Sequence, residues 1–240
     1  MPSIHPRGLG AFWRALAPVS AGRDALRARQ SRLSWAALMV ETPNGHVEPI
    51  DRMRTHSDAL RDQGLAVWLW TFPALKSERA AENTARALEA TGARGVILDI
   101  EVEHKGEPGA TAHLVASHLD VITERHGLGV TSYPIAAMHR MPWPEMSAGF
   151  GMPQLYRSAA NPSLVERAVR EYGERHGGVV VPAVAAYLGD HELLRSDLIR
   201  VSGLDKSDRP RVDGMCIWSW PQISGRDRGV CAEFCDRAGW

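Results

Sequence analysis

Short, almost entirely apolar segments recur along the chain, and each follows a polar stretch that ends at glycine. The five plainest are LAVWLW after Gly64, VILDIE after Gly95, LGVTSY after Gly127, VVVPAVAAY after Gly178 and MCIWSW after Gly214. Glycine directly after a helix adopts the left-handed conformation that ends the helix. Runs that are apolar on both faces are typical of parallel strands covered by helices. The pattern therefore predicts strands that alternate with helices.

Three weaker apolar runs bring the number of predicted strands to eight. They are GLGAFW from Gly8, WAALMVE from Trp35 and FGMPQLY from Phe150. Helices are predicted at 20–33, 48–62, 77–91, 109–125, 162–175, 190–200 and 225–237, whereas 142–148 is a short segment interrupted by proline. The expected first or capping residues are Ser20, Ser77, Asn161, Asp190 and Ser224. Eight strand–helix units joined by right-handed crossovers predict an α/β fold, a single (β/α)8 TIM barrel that spans residues 1–240 as one domain.

An open, doubly wound sheet is the alternative arrangement of alternating strands and helices. Such sheets usually carry a glycine-rich phosphate loop after the first strand. The sequence contains neither GxGxxG nor GxxxxGK[ST]. No linker or shift in composition marks a second domain, so the barrel remains the prediction.

Composition and charge narrow the range of partners. The 240 residues are 44% hydrophobic and include 28 basic and 28 acidic side chains, so the formal net charge is zero. A nucleic-acid or membrane-surface partner would need a basic excess. The first residues lack the apolar core of a signal peptide, which predicts a chain made in the cytoplasm. If the protein acts outside the cell or on a virion, we expect it to leave by lysis, within a larger particle or by a route without a classical signal.

Three acidic side chains alternate along the fourth predicted strand, which we place at about 95–103. Strand side chains alternate between faces, so Asp99, Glu101 and Glu103 are expected to point together into the barrel mouth. Barrel active sites lie at this end of the strands. Crowded carboxylates raise at least one pKa, which keeps a carboxylic acid protonated for general acid catalysis. We predict these three as catalytic residues; a structural ion-pair cluster is the alternative.

Aromatic and polar side chains are predicted around the same rim. Flat aromatic faces stack on sugar rings, and polar groups then bind the hydroxyls; for each tryptophan, a place in the core is the alternative. Trp218 and Trp220 alternate with Ser219, so both are expected to face the mouth and one of them to form the floor of a sugar site. The candidate substrate-binding residues are Trp13, Glu41, Trp70, Tyr133, Gln154, Tyr156, Tyr187, Trp218 and Trp220.

The segment GVILDIEVE resembles the strand-4 signature DGxDxDxE of the family 18 chitinases, which are TIM-barrel glycoside hydrolases. Asp99 matches the last aspartate of that signature and Glu101 its catalytic acid, whereas Arg94 and Ile97 replace the other two aspartates. GMCIWSW resembles the last strand of these enzymes, and FGMPQLY is loosely similar to their Met-x-Tyr segment. ILDIE is equally similar to the Asp-x-Glu of family 25 lysozymes, although Phe12 and Trp13 stand where their strand-1 aspartate is expected. EVEHK resembles uncharacterised bacteriophage and prophage barrels that cut or bind cell-wall glycans.

The resemblance implies a glycosidase acting on an amino-sugar polymer such as peptidoglycan or a chitin-like glycan. Glu101 would be the general acid, Asp99 would orient an N-acetyl group or tune Glu101, and a separate nucleophile would be Glu41 or Glu103. A non-catalytic glycan-binding barrel of a phage or structural particle is the alternative. A metal-dependent hydrolase using Asp99, Glu103, His104 and His191 ranks third, because most histidines fall on helices or loops; we therefore expect no metal and no cofactor.

Overall fold

Strands and helices alternate along the described part of the chain. The computed structural model describes residues 4–13, 20–75, 77–122, 124–138, 140–156, 161–186, 190–203, 211–220 and 223–240. The strands are β1 Gly8–Trp13, β2 Trp35–Met39, β3 Ala66–Thr71, β4 Gly95–Asp99, β5 Gly127–Ser132, β6 Phe150–Pro153, β7 Val179–Val180, β8 Ala183–Ala185, β9 Arg211–Val212 and β10 Gly214–Trp220. The helices are α1 Ala21–Gln30, α2 Ile50–Asp62, α3 Ala80–Thr91, α4 Pro108–Val121, α5 Trp143–Met146, α6 Pro162–Arg175, α7 His191–Ser202 and α8 Gly225–Ala238. Within these ranges no helix has the length and hydropathy needed to cross a membrane.

The strands form one curled parallel sheet in the order β8–β10–β1–β2–β3–β4–β5–β6–β7–β9. The two sides of the sheet meet where Gln154, directly after β6, forms a parallel bridge with Ala183 in β8. The Leu155 amide donates to the Ala183 carbonyl across the same junction, at 2.7 Å. The predicted α/β barrel of the TIM type is therefore confirmed.

The seventh position of the barrel is split into two short strands, although the sequence predicts one. Val180 in β7 pairs with Gly151 in β6, whereas β8 pairs with β10. Between them stands Pro182, which has no amide hydrogen to donate to a ladder. Its carbonyl accepts instead from the Cys216 amide, at 2.9 Å. β9 pairs with β7 and extends the sheet beyond the ring.

The two faces of the strands pack into separate clusters. The outer layer, between sheet and helices, contains Leu9, Leu69 and Leu98 among many aliphatic residues. The inner cluster, which fills the barrel, is rich in large rings: Phe12, Trp35, Trp68, Trp70 and Phe150. Glycines make room for these rings, since a Cβ at Gly10 would lie 2.0 Å from the Trp35 ring and one at Gly129 would lie 2.4 Å from the Phe150 ring.

Two of the predicted helix caps form as expected. The Asp190 carboxylate accepts from the first-turn amides of α7, and Ser224 forms a capping box with Asp227 at α8. Ser77 does not cap α3, which begins at Ala80; its hydroxyl donates to Glu41 instead. Asn161 precedes α6 without a capping hydrogen bond from its side chain.

The fourth strand ends at Asp99 rather than near residue 103, which corrects the prediction. The Ile100 amide still bonds to the Thr131 carbonyl of β5, at 2.9 Å. The His104 amide then bonds to the Glu101 carbonyl, and Val102–His104 form a 3₁₀ turn. Because the alternation stops at this turn, Glu103 does not continue the inner face of β4 and lies exposed.

Candidate active site

Two carboxyl groups and one amide meet at the carboxyl end of β4 and β6. Gln154 Nε2 donates to Asp99 Oδ1 at 3.0 Å and to Glu101 Oε1 at 2.7 Å. The carboxyl groups of Asp99 and Glu101 are also in hydrogen-bond contact with each other. Asp99 is only 2% exposed, whereas Glu101 is partly buried and borders solvent. We call Asp99 and Glu101 the acid pair, and the Gln154 side chain its amide clamp.

Burial and charge act together on Asp99. Desolvation raises the pKa of its carboxyl well above the ordinary value of 3.8, and the neighbouring charges of Glu101 and Glu103 raise it further. The hydrogen bond from Gln154 opposes the increase in pKa but does not cancel it. The buried Asp99 carboxyl therefore keeps its proton above the ordinary range. The sequence predicted a raised pKa in this cluster, and the structure assigns it to Asp99.

β6 and its neighbours hold Gln154 in place. The backbone N–H of Gln154 donates to the Ser132 carbonyl at 3.0 Å, and the Gln154 backbone also forms the bridge to Ala183 that closes the barrel. Ser132 in turn donates its hydroxyl to the Ile100 carbonyl, directly after β4. Because its backbone is bonded to β5 on one side and to β8 on the other, the side-chain amide of Gln154 is positioned before any ligand arrives.

Four inner aromatic side chains pack together at the same end of the barrel. Trp218 meets Phe12 edge to face, with ring centroids 5.2 Å apart, and meets Trp70 at 5.1 Å. Tyr156, two residues after Gln154, lies 6.5 Å from Trp218. Trp218 and Tyr156 are partly buried and so remain accessible, whereas Trp70 is fully buried. These two accessible rings are the available stacking surface.

Phe12 belongs to this aromatic cluster, although it is not among the substrate-binding residues predicted from the sequence. It lies 5.3 Å from Trp70 and 5.2 Å from Trp218. The alternation of side chains along β1 could have identified Phe12. Leu9, Ala11 and Trp13 lie in the outer layer, so Phe12 between them faces the inside of the barrel.

Trp13 and Trp220 do not face the mouth, which corrects the predicted orientation of both. They belong to the outer layer and stack on each other with centroids 5.5 Å apart, each 1% exposed. The register between β1 and β10 shifts between Ala11 and Trp13, where Trp13 pairs with Trp220. A register irregularity of this kind breaks the period of two, so Trp218 and Trp220 lie on opposite sides of the sheet. The Trp218–Ser219 peptide bond is cis.

Tyr133 lies beside the acid pair. Burial and the charges of Glu101 and Glu103 raise the pKa of its phenol. Lys105 Nζ stands 5.9 Å from the centre of its ring, a cation–π distance. The Tyr172 hydroxyl donates to the Tyr133 carbonyl at 2.6 Å and so anchors the residue at the rim.

Glu41 follows β2 but is committed to neighbouring groups. Ser77 Oγ donates to Glu41 Oε1 at 2.7 Å, and Asn83 Nδ2 donates to Oε2 at 3.1 Å. With 2% of its surface exposed, Glu41 connects β2 to the start of α3. Its place in the structure gives it an anchoring role before any ligand binds. Tyr187 lies outside the described residues.

The metal-dependent hydrolase that ranks third on the sequence would need His104 and His191 in one ligand group with Asp99 and Glu103. In the described ranges no group of three or more His, Cys, Asp or Glu side chains is arranged to hold a metal ion. His191 begins α7 and lies 3.6 Å from Glu192. His104 is buried in the turn after β4, and burial lowers its pKa. Its two ring nitrogens have no hydrogen-bond partner within the described part of the chain.

The chain has the fold of several glycoside hydrolases. No protein-family model matches it, and no curated protein sequence is significantly similar. Among solved structures it is similar to the GH18 chitinase ChiB of Flavobacterium johnsoniae, with a TM-score of 0.62, 11% identity and coverage of 98% of this chain and 96% of that one. It is similar to the spore cortex-lytic enzyme SleL of Bacillus cereus at TM-score 0.64 and 10% identity, covering 95% and 74% of the two chains. It is also similar to a GH113 β-1,4-mannanase, with a TM-score of 0.66 and 9% identity, covering 95% of this chain and 98% of that one.

The same fold occurs in enzymes of other chemistry. A tryptophan synthase of M. tuberculosis matches with a TM-score of 0.58 at 15% identity. Likeness at these identities shows the barrel alone, and one barrel fold supports many reactions. The acid pair and its surroundings therefore carry the information about function.

Proposed function

We propose that the chain is a glycoside hydrolase that acts on an amino-sugar polymer such as peptidoglycan or a chitin-like glycan, with Glu101 as its general acid. The observation that carries the proposal is the hydrogen-bonded pair of Asp99 and Glu101, clamped by Gln154 at the carboxyl end of the barrel. Active sites of barrel enzymes lie at this end. Folding alone does not favour two carboxyl groups in contact in a buried place.

The geometry gives each member of the acid pair a different task. Glu101 borders solvent and can reach a glycosidic oxygen, whereas Asp99 is buried and retains a proton because its pKa is raised. When Glu101 gives its proton to the leaving oxygen, negative charge develops on its carboxylate. Protonated Asp99 and the Gln154 amide both donate to that carboxylate, so they stabilise the charge as it forms.

The closeness of the two carboxyl groups bears on the mechanism. A nucleophile acting across the sugar ring from the acid lies about 5–5.5 Å away, and a base in an inverting enzyme about 6.5–9.5 Å. Asp99 and Glu101 share the Gln154 amide as a donor, at 3.0 and 2.7 Å, so Asp99 stands beside the acid rather than across a sugar ring from it. This favours a substrate whose own N-acetyl group attacks the anomeric carbon, with Asp99 available to orient that group. An amino-sugar polymer supplies such a group.

Trp218 and Tyr156 supply the stacking surface that a sugar ring needs. Both are partly buried at the same end of the barrel as the acid pair. The names of two structural neighbours, a chitinase and a spore cortex-lytic enzyme, support the choice of polymer by analogy. Action on the bacterial cell wall, with delivery in a phage or other particle, is the setting we propose.

A non-catalytic glycan-binding barrel is the second candidate. Arg94 and Ile97 stand where the resembled signature has aspartates, and Ile97 is buried in the inner cluster. The stacking surface would serve binding equally well without them. Catalysis therefore has to be tested directly.

The decisive experiment replaces Glu101 with glutamine. Glu101→Gln keeps the shape of the side chain and removes the transferable proton, so cleavage should fall by about 10²–10⁴-fold while folding and glycan binding persist. Release of reducing ends from peptidoglycan and from chitin oligosaccharides measures it. Glu107→Gln, an exposed change before α4, is the matched control and should retain full activity.

Full activity of Glu101→Gln would remove the general acid role from this residue. A wild-type protein that binds to immobilised glycan but cleaves none of the polymers would favour the binding module.

A further inference from the structure

A cavity of about 880 Å³ opens at the N-terminal end of the barrel, away from the acid pair. It lies where β1 to β4 begin, so its wall is made by the residues just before those strands. Those that matter for its chemistry are Arg7 before β1, Ser34 before β2, Arg61 at the end of α2, Arg94 before β4 and Trp240. A volume of this size is in the range of cavities that bind small molecules.

The cavity has arginines whose charges the protein does not satisfy. Arg7 and Arg94 are exposed, and neither guanidinium has a hydrogen-bond or ion-pair partner among the residues that the structure describes. Arg61 is bonded to Asp58 at 2.7 Å but still lines the wall. The Ser34 hydroxyl, at the same wall, also has no partner within the described ranges.

The acidic side chain in the wall does not balance this charge. Asp213 Oδ2 lies 3.0 Å from His5 Nε2, and this one carboxylate stands against three arginines in the wall, Arg7, Arg61 and Arg94. The cavity is therefore a positively charged depression with free N–H and O–H donors. Trp240, which is partly buried, adds an apolar wall.

From this arrangement we propose that the N-terminal cavity is a binding site for a phosphate-bearing small molecule. Guanidinium groups bind phosphate oxygens through paired, charge-assisted hydrogen bonds. Two uncommitted arginines and a serine hydroxyl can surround one or two phosphate groups, and the remaining volume holds the organic part against Trp240. The site lies at the end of the barrel that catalysis does not use. It is therefore independent of the proposed hydrolase activity.

Calorimetric titration of the full chain tests the proposal. The probes are inorganic pyrophosphate, a nucleoside diphosphate and a sugar monophosphate, each at low and at physiological salt. We expect at least one to bind with a Kd below about 1 mM, and the double variant Arg7→Gln/Arg94→Gln to weaken binding by about tenfold or more. Equal binding of pyrophosphate and nucleotide would identify phosphate as the recognised group, and tighter nucleotide binding would add contacts to the organic part.

The matched control removes the same charge elsewhere. Arg54→Gln/Arg79→Gln changes two exposed arginines that pair with Asp51 and Glu82, and it should bind the probe like the wild type. The proposal is overturned if no probe binds, if the Arg7/Arg94 variant binds normally, or if both double variants lose binding equally. A measurement on the wild type keeps the test valid if a variant fails to fold. The indole N–H resonance of Trp240, assigned with Trp240→Phe, should shift when the probe is added, and an unchanged resonance would also overturn the site.

Discussion

Two tryptophans near the end of β10, Trp218 and Trp220, face opposite sides of the sheet. Trp218 lies in the inner cluster, partly buried, among other rings and at the end of the barrel that holds the acid pair. Trp220 lies in the outer layer, 1% exposed and stacked on Trp13. The inner face keeps accessible rings and polar groups, whereas the outer face excludes solvent between sheet and helices. Side chains of one type thus offer accessible aromatic surface on one face and close packing on the other.

The largest expected effect is on the outer face. Trp220→Ala removes a fully buried ring and leaves a cavity beside Trp13, so the free energy of unfolding should fall by about 3–5 kcal/mol. Chemical denaturation measures the loss, and Trp220→Phe should show a smaller one. The folded fraction of the Trp220→Ala protein should bind glycan with the affinity of the wild type. A lower affinity would contradict the assignment of Trp220 to packing and of the inner face to binding.

The next effect is on the amide clamp. Gln154→Ala removes both hydrogen bonds to the acid pair, so kcat on a cleavable glycan should fall by about 10²-fold while KM changes little. Steady-state kinetics separates the two parameters. Gln30→Ala, at an exposed position of α1, is the control. A rise in KM at unchanged kcat would mean that Gln154 binds substrate rather than positioning the acids.

Replacing the inner tryptophan should affect binding more than folding. Trp218→Ala is expected to weaken binding to glycan oligosaccharides by about 1–3 kcal/mol if stacking on sugar resembles aromatic stacking elsewhere. Titration calorimetry on the Trp218→Ala and Trp220→Ala proteins compares the two faces directly. Unchanged affinity in Trp218→Ala would make this ring a packing residue and place the sugar elsewhere.

The smallest effect is a change in how stability depends on pH. Folded Asp99 has a raised pKa, so it retains a proton that the unfolded chain releases above its ordinary value of 3.8. Its contribution to stability is therefore fully present below that value and is lost as pH rises through the raised pKa. Asp99→Asn removes the titration, so its Tm should exceed that of the wild type by a few degrees at pH 8 and match it near pH 4.

Asp120→Asn, an exposed change on α4, is the control for this pH experiment and should follow the wild type at both pH values. A wild-type Tm that rises relative to Asp99→Asn between pH 4 and pH 8 would mean that the pKa of Asp99 is lowered instead.

The barrel was predictable because its strands are buried on both faces and separated by glycine-ended helices. Asp190 and Ser224 likewise cap α7 and α8 as expected, since a capping side chain needs only its own helix. The end of β4 was not predictable, because the partner strand and the turn at Val102–His104 decide where pairing stops. For that reason Asp99 and Glu101 meet as expected, but Glu103 does not join them on the inner face.

Strand alternation with a period of two could not predict which side of the sheet Trp220 faces, for a similar reason. A register shift is a property of two strands together, and it appears only when β1 and β10 pair. The split of the seventh strand, by contrast, had a visible signal in Pro182, since proline cannot donate within a ladder. The acid pair was found because its spacing is local; its amide clamp depends on the meeting of β4 with β6.

The divided seventh strand gives the ring a seam. β7 and β8 contain two and three residues, whereas β1 and β10 pair along most of their length. Short ladders open more readily than long ones, so backbone amides at this seam should exchange with solvent sooner than those of β1. Gln154 forms the bridge across the seam and also holds Asp99 and Glu101. A local opening of the barrel wall at this place therefore also releases the clamp, which couples the integrity of the ring to the pairing of its acids.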